Sequence, residues 1–392
     1  MLLLLGFGLA VAEPFVMNVG EPTELRSAGA WVRVFPTEEA WIATLGTNNS
    51  FFVADLNKTG SGLEDWEMGP KRQVTELTGL IDHGIKRCPD GSYLHAASAM
   101  PPELQDQPEQ GEPTDFLYLT RFDEEFNILK QVEFRDGMGT HAHNDPNVMC
   151  SDVAKGVLLS IQGFEFATDF FALDANLEVE SVVSLQDYPR GNGGGVLYDV
   201  HNDQILQMGM AHDKPLTVNR YNSDWTWIER TDVTLVDSPL RAYWPQGLIQ
   251  VGNFFLIAHM GKDDAWQGSD KGDVFLSILN NSFDLVHQER ITSLENGEAA
   301  MRPWLARKGD QLLLSFDLFG EQTIVEATLN LADFGLDGTE PDTGVDPGGE
   351  WIDPDPYVGD GSDGDKTRCG CSSSESVVLL PLVLLWGVRR RR

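Results

Sequence analysis

Residues 247–258 read Gly-Leu-Ile-Gln-Val-Gly-Asn-Phe-Phe-Leu-Ile-Ala and show most clearly the pattern from which the fold can be predicted. A Gly-Asn pair, which favours a tight turn, separates two short apolar runs, so the stretch predicts a β-hairpin. The same arrangement recurs along the chain. The predicted hairpins are 31–35 with 41–45, 83–88 with 93–97, 145–150 with 157–161, 196–200 with 205–208, 247–251 with 254–258, and 303–307 with 312–316.

Most of these hairpins are followed by further strand-like runs, and no long helical period interrupts them. The runs are 116–122 and 128–134, 169–173 and 179–185, 216–221 and 226–235, and 274–279 and 285–291. Runs of alternating apolar and polar residues and of β-branched residues, separated by turns that contain Asp, Asn and Gly, favour antiparallel strands. A four-stranded unit that recurs every roughly 50 to 60 residues is typical of a β-propeller blade. We therefore predict an all-β, six-bladed β-propeller over residues 13–336, with a pair of β-sandwich domains as the alternative that the even repeat disfavours.

The sixth unit lacks a fourth strand. Residues 323–329 provide its third strand, and Ala332-Asp-Phe-Gly335 then departs from the pattern. We expect residues 14–19, near the start of the chain, to pair with this strand. Such pairing closes the ring and covers an edge that an open ring would expose.

The N-terminus has the features of a secretion signal. Residues 2–11 are apolar, and Ala10-Val11-Ala12 is a small-x-small cleavage site. A basic segment before the leucines is missing, and a buried first strand is the structural alternative. We interpret residues 1–12 as a signal peptide and expect an exported protein.

Residues 369–392 combine a thiol pair, an uncharged apolar run at 377–388 and four terminal arginines. The run is shorter than the roughly 20 residues that span a bilayer as a helix, and a basic end suits a cytoplasmic flank. A buried C-terminal helix is the alternative. The segment resembles the MYXO-CTERM sorting signal of myxobacterial surface proteins. That resemblance implies a sorting protease as a partner, lipid attachment at Cys369 or Cys371, and membrane anchoring at the cell surface or outer membrane.

Acidic residues greatly outnumber basic residues in this chain. It has 61 acidic against 28 basic residues, a net charge of −33, which disfavours nucleic acid and anionic membrane surfaces as partners. Residues 337–368 are mostly Gly, Pro, Asp and Glu. Such a segment buries too little apolar surface to fold, so we expect an extended, disordered acidic stalk between the propeller and the anchor.

Polar and aromatic residues recur at or beside the predicted innermost strand of each blade. In a propeller these strands line the central channel, and an ordinary core would not hold so many ionisable groups. We predict a ligand site there, with a hydrated structural channel as the alternative. The candidates are Arg33, His83, Arg87, His141, His143, Asn144, Asp145, Tyr198, Trp244, Gln246, Arg302 and Trp304.

The densest of these groups is His141-Ala-His143-Asn-Asp145-Pro146. On an extended strand His141, His143 and Asp145 point to one face, and two imidazoles with a carboxylate can bind zinc. Ligands this close in sequence would strain a tetrahedral site, so we assign no metal and no other cofactor.

Hydrolysis is the alternative function. Asp145-Pro-Asn-Val148 resembles the inner-strand aspartate of arabinanase-type propeller glycosidases, which is the general base in that family. Such chemistry needs a second carboxylate across a cleft, for which Glu165 and Glu321 are candidates.

A sialidase-type mechanism would instead place Arg33, Arg87 and Arg302 on a substrate carboxylate. The Asp-box turns of that family are absent, and residues 223–227, Ser-Asp-Trp-Thr-Trp, match them only loosely. The sequence therefore favours a surface-displayed module that binds an extracellular glycan, protein or envelope partner, with a surface-tethered carbohydrate hydrolase as the alternative.

Cys88 and Cys150 end the predicted inner strands of consecutive blades. Export permits a disulfide between them. Strands of separate blades are expected to lie too far apart for one, so we predict two buried free thiols.

Overall fold

A computed structural model describes residues 15, 17–25, 30–37, 40–47, 50–75, 82–99, 116–134, 146–151, 155–159, 169–184, 194–199, 202–209, 216–235, 248–261, 272–294, 300–318 and 321–336. These residues form strands β1 to β26 and one short 3-10 helix, and none of them forms an α-helix. No helix in this part of the chain has the length and apolarity needed to cross a membrane.

The strands form six antiparallel sheets, which we number as blades in chain order. Blade 1 contains β3 (Ala30–Pro36), β4 (Trp41–Thr47), β5 (Ser50–Lys58), β6 (Trp66–Met68) and β7 (Arg72–Thr75). Blade 2 contains β8 (Asp82–Arg87), β9 (Tyr93–Ala99), β10 (Phe116–Phe122) and β11 (Ile128–Phe134). Blade 3 contains β12 (Asn147–Cys150), β13 (Lys155–Leu159), β14 (Asp169–Leu173) and β15 (Val179–Ser184).

Blade 4 contains β16 (Gly194–Asp199), β17 (Gln204–Gly209), β18 (Leu216–Asn222) and β19 (Trp227–Val233). Blade 5 contains β20 (Leu248–Val251), β21 (Phe254–Gly261), β22 (Asp273–Leu279) and β23 (Leu285–Arg290). Blade 6 contains β24 (Ala300–Lys308), β25 (Gln311–Leu318) and β26 (Glu321–Leu329), together with β1 (Met17–Val19) and β2 (Thr23–Glu24). The 3-10 helix Leu331–Phe334 follows.

The first strand of each blade lies innermost. Each inner strand contacts the next one around the ring: β8 contacts β12, β12 contacts β16, β16 contacts β20, and β20 contacts β24. Strand β24 in turn contacts β3, so blades 6 and 1 are neighbours. The protein is therefore a six-bladed β-propeller, as predicted. All six predicted hairpins are observed as strand pairs.

The ring closes with the N-terminal segment, which confirms the prediction made for it. Met17 pairs with Leu329 and Val19 with Ala327, and Thr23 continues the pairing opposite Ile324. Both short strands are antiparallel to β26. The edge of blade 6 is covered because the chain returns to the blade on which it ends.

Blade 1 departs from the repeat in a way that the sequence did not indicate. Its outer strand is split, since β6 pairs with the end of β5 and β7 pairs with the beginning of β5. Between them, Gly69 donates its N–H to the carbonyl of Asp55 at 2.8 Å, and the chain leaves the sheet. The surface beside Asp55 is thereby opened.

Blades 2 to 5 share one outer turn, which joins their third and fourth strands at residues 123–127, 174–178, 222–226 and 280–284. In blade 2, Asp123 Oδ1 accepts hydrogen bonds from the backbone N–H groups of Glu125 and Asn127. A hydrogen bond from the Asn127 side chain lowers the pKa of Asp123. In each turn the fourth residue donates its N–H to the carbonyl of the first residue and has a positive φ, as in the three-residue hairpin loops that end in a bulge.

Glycine usually occupies the position with positive φ, but in these four turns a large apolar residue occupies it. Phe126, Leu177, Trp225 and Phe283 have φ between 62° and 65°. A left-handed backbone costs a non-glycine residue about 1–2 kcal/mol. Packing offsets the cost: the ring of Phe126 lies 4.5 Å from Tyr93, and that of Trp225 lies 4.3 Å from Phe170 in the preceding blade.

One correction concerns the cysteines. Cys88 and Cys150 form a disulfide, so the prediction of two free thiols is wrong. The inner strands β8 and β12 converge towards the axis of the ring, and the two Cα atoms are only 5.0 Å apart. This separation is within the range that a disulfide spans. The bond joins blade 2 to blade 3.

Candidate functional site

The structure describes the side chains of five predicted channel residues, Arg33, Arg87, Tyr198, Arg302 and Trp304. For His83 it describes only the backbone, on β8. Several predicted features lie outside the described residues: His141, His143, Asn144, Asp145, Glu165, Trp244 and Gln246, and the segments 1–12, 337–368 and 369–392 with Cys369 and Cys371.

Arg33, Arg302 and Trp304 meet where blade 6 adjoins blade 1. The inner strands of both blades contain a β-bulge at the same level, between Ala30 and Arg33 in β3 and between Met301 and Trp304 in β24. Arg33 and Trp304 therefore occupy equivalent places, and the Arg33 guanidinium lies 4.6 Å from the centre of the indole. Arg33 is buried, so this cation–π contact is shielded from water.

Hydrogen bonds between the blades hold this pair in place. Trp304 Nε1 donates to the carbonyl of Val34 at 3.1 Å, and Ser315 Oγ donates to the carbonyl of Val32 at 2.8 Å. The N–H of Val32 donates to Gln322 Oε1 at 3.0 Å. Backbone groups freed by the bulge in β3 are thus satisfied by side chains of blade 6.

Arg302 has an unusual backbone. Its φ is 57°, in the left-handed region that arginine rarely occupies, and its Nη1 donates to Asp317 Oδ2 at 2.8 Å. Asp317 also accepts a hydrogen bond from Gln322. The Asp317 side chain is 6% exposed and that of Arg302 is 23% exposed, so Arg302 is the more exposed member of the pair.

These residues lie at one end of the ring, which we call the channel mouth. Arg302 is near the beginning of β24, Asp317 near the end of β25 and Gln322 near the beginning of β26. In an antiparallel blade that end also carries the connections between second and third strands and from blade to blade. The hairpin turns and outer turns lie at the other end, which we call the turn face.

Asp317 and Gln322 are not among the site residues predicted from the sequence. An aspartate within the apolar run Leu312-Leu-Leu-Ser-Phe-Asp-Leu318 was a usable signal, because a carboxylate is seldom buried without a partner. Gln322 had no such signal, since a glutamine at the beginning of a strand is unremarkable.

Tyr198 and Arg87 lie elsewhere, at the turn face. The Tyr198 hydroxyl donates to Asp203 at 2.7 Å. Beside it, Gln250 Nε2 donates to the buried Asp199 at 2.7 Å and links the inner strands of blades 4 and 5. The bond from Gln250 stabilises blades 4 and 5 against each other, whereas the bond from Tyr198 lies within blade 4.

Arg87 lines a cleft of about 580 Å³ between blades 1 and 2. Its Nη2 lies 3.6 Å from Glu124 Oε1. Buried apolar side chains form the floor and charged ones the walls. The lining is Thr37, Ala40, Ile42, Val53, Ala54, Asp55, Pro70, Arg72, Arg87, Tyr93, Glu124, Glu125 and Phe126.

The described residues show which functional groups are available at the channel mouth for binding or catalysis. No group of three or more His, Cys, Asp or Glu side chains among them could hold a metal ion. Asp317 is engaged by Arg302 and Gln322, which suits it to holding a guanidinium. Glu321, a candidate second carboxylate for hydrolysis, is exposed at the beginning of β26.

No family model matches the chain, and no curated protein matches it. Its structure is similar to a subtype N10 neuraminidase-like protein of A/little yellow-shouldered bat/Guatemala/060/2010, with 12% identity, a TM-score of 0.46, and coverage of 80% of this chain and 99% of that one. It is also similar to Trypanosoma rangeli sialidase in complex with sialic acid, with 9% identity, a TM-score of 0.49, and coverage of 80% and 59%. Likeness this weak assigns no function, which must be inferred from the chain's own residues.

Proposed function

We propose that the protein is an exported β-propeller, displayed at the cell surface, that binds an extracellular glycan or protein partner at its channel mouth. The observation that carries this proposal is Arg302, a strained and partly exposed arginine whose guanidinium is held by a buried carboxylate. Strained backbone costs about 1–3 kcal/mol and tends to cluster at functional sites.

The local geometry favours binding. A β-bulge re-aims the side chains around it, and the bulge in β24 contains Arg302 itself. Asp317 restricts the guanidinium before any ligand arrives, so less side-chain freedom is lost on binding. A planar guanidinium suits ligand carboxylates, and its N–H groups also donate to hydroxyl oxygens. A glycan offers both kinds of acceptor, and we therefore place it first among the partners.

Binding can be tested on a glycan array and by calorimetry with the glycans that the array identifies. Replacing Arg302 by alanine should weaken binding at least tenfold, because hydrogen bonds from a charged group contribute about 1.5–3 kcal/mol. Arg230→Ala is the matched control, since Arg230 pairs with Asp232 on the outer strand β19, away from the mouth. Glycan binding that survives unchanged in a folded Arg302→Ala variant would overturn the placement of the site.

The same glycans separate binding from hydrolysis. Release of reducing sugar by the unmodified protein, and its loss in Asp145→Ala, would establish the carbohydrate hydrolase and displace the binding module. Glu321→Gln tests the proposed second carboxylate in parallel. Tight binding without turnover supports the module.

Surface display is the second testable part of the proposal. It rests on residues 369–392, and we expect a sorting protease to remove the apolar run and arginines and a lipid to modify Cys369 or Cys371. Mass spectrometry of the mature C-terminus should identify the modified cysteine, and its replacement by alanine should release the protein into the medium. An intact Arg392 on the mature chain would contradict processing.

A further inference from the structure

The cleft between blades 1 and 2 lies on the turn face, at the opposite end of the ring from the channel mouth. Its floor includes Ile42, Val53 and Phe126, all less than a tenth exposed, and Arg87 closes its inner side. Its volume of about 580 Å³ is within the range of small-ligand sites, about 300–1,000 Å³.

The corresponding places between other blades reveal what such a cleft accommodates. Blades 2 and 4 carry an arginine on the third strand, two residues before the outer turn. Arg121 donates to the carbonyl of Ala175 in blade 3 at 3.3 Å, and Arg220 donates to the carbonyl of Asn281 in blade 5. The Arg220 guanidinium also lies 4.7 Å from the ring centre of Phe283, the left-handed residue of that turn. An arginine thus joins one blade to the outer turn of the next.

Blade 1 has the opposite charge at this place. Leu56 pairs with Trp41 as Phe122 pairs with Tyr93, so Asp55 is the equivalent of Arg121. Across the cleft, Phe126 corresponds to Phe283, and the carbonyl of Glu124 corresponds to that of Asn281. Within the described part of the chain, no cation lies over Phe126, and Arg72 donates instead to the carbonyl of Glu125 at 2.5 Å.

The junction of blades 3 and 4 has a third arrangement, in which the small residue of blade 3 leaves no cleft because a larger side chain of blade 4 fills the space. Its equivalent residue is Ala172, but the outer turn of blade 4 carries the larger Trp225. That indole packs at 4.3 Å against Phe170 and fills the junction. Only the junction of blades 1 and 2 combines a carboxylate with a phenylalanine, among the outer turns that the structure describes.

We propose that the cleft binds an arginine side chain of an extracellular peptide or protein segment. The incoming guanidinium takes the place that corresponds to that of Arg220 between blades 4 and 5: it lies beside Phe126, donates to the carbonyl of Glu124 and pairs with the carboxylate of Asp55. The methylene groups lie along Ile42 and Val53. The ligand thereby adds a second contact between blade 1 and this turn, beside the one from Arg72 to the carbonyl of Glu125.

Charge favours a cation at this site. The walls carry three carboxylates, Asp55, Glu124 and Glu125, against two guanidiniums. Of those two, Arg87 faces Glu124 and Arg72 donates to a backbone carbonyl. The net charge of −33 for the whole chain adds a long-range attraction, which speeds the encounter with a basic segment and weakens as salt is added.

The probe is an uncharged-end pentapeptide, acetyl-Gly-Gly-Arg-Gly-Gly-amide, titrated calorimetrically into the full chain at low salt. The same peptide with citrulline keeps the shape of the side chain and loses its charge, and it should bind at least tenfold more weakly. Equal binding of the two peptides would overturn the proposal. Arg302→Ala should bind the arginine peptide normally, so failure here and failure at the channel mouth are distinguishable.

Asp55→Arg tests the analogy between the blades directly. It introduces the arginine found in blades 2 and 4, and it should abolish peptide binding while the melting temperature stays equal or rises. Asp55→Asn, which changes little in size, should weaken binding at least fivefold and guards against misfolding of the first variant. Peptide binding that persists in both variants would sink the assignment.

Discussion

Two fully buried histidines contribute to the response of this protein to acid. His95 stacks on Phe51 with ring centres 4.2 Å apart, and burial lowers its pKa to about 3. His259 lies 2.8 Å from the Ser277 hydroxyl, and burial lowers its pKa to about 4 despite a hydrogen bond to the Met260 carbonyl that opposes the shift. Both imidazoles are therefore neutral in the folded protein at neutral pH.

We expect stability to fall as the pH drops below the unfolded histidine pKa of about 6.5. Because both folded pKa values are depressed, the unfolded chain takes up protons first, and each histidine costs about 1.4 kcal/mol per pH unit. Between pH 6.5 and 5 the loss is about 1.6 kcal/mol for each, because the unfolded imidazole is already half protonated at pH 6.5. Urea unfolding across this range measures it, and His95→Phe should remove about half of the slope. A free energy of unfolding that is flat from pH 6.5 to 5 would contradict both assignments.

The outer turn is the element that spaces the blades. Its left-handed residue is an aromatic or leucine side chain inserted at the junction with the preceding blade, and arginines of that blade bond to the turn carbonyls. Backbone preference and packing therefore oppose each other at one residue. The turn exists because burial of a large apolar side chain, about 1.5–3 kcal/mol, exceeds the backbone strain.

Phe126→Gly separates these two contributions. Glycine relieves the strain at φ 62°, but it removes a ring that is 5% exposed and packed on Tyr93. We expect a net loss of about 2–4 kcal/mol in the free energy of unfolding, measured in urea. Gly91→Ala provides a contrast, because that residue has φ 81° and no side chain to lose. A more stable Phe126→Gly protein would mean that conformation, and not packing, governs the turn.

At the scale of the whole molecule, the ring is held at two junctions by different means. Blades 2 and 3 share the Cys88–Cys150 disulfide. Blades 6 and 1 are joined by a buried carboxylate of blade 6, Glu326, which accepts hydrogen bonds from Lys58 at 2.6 Å and Trp66 at 2.8 Å in blade 1, and from Gln311 at 2.7 Å in its own blade. The closing junction thus depends on residues far apart in sequence, whose contacts form only when the ring is complete.

Removing the disulfide with Cys88→Ala and Cys150→Ala should lower the free energy of unfolding by about 4 kcal/mol. The bond spans 62 residues, and a loop of that length frees substantial entropy in the unfolded chain once it is opened. Urea unfolding with and without reductant measures the loss. Reduction should have no such effect on the double variant, and an equal effect there would point to another cause.

Local chemistry determined the repeat. Alternating apolar residues and Asp, Asn and Gly turns act over a few neighbours, so the strands, the six blades and the N-terminal closing strand could be predicted from sequence alone. The disulfide, the Arg33–Trp304 stack, the Arg302–Asp317 pair and the cleft beside Asp55 arise from the packing of the blades and could not be predicted in this way. These depend on side chains separated by tens to hundreds of residues, and their distances are set by how neighbouring blades pack, which no short-range pattern encodes.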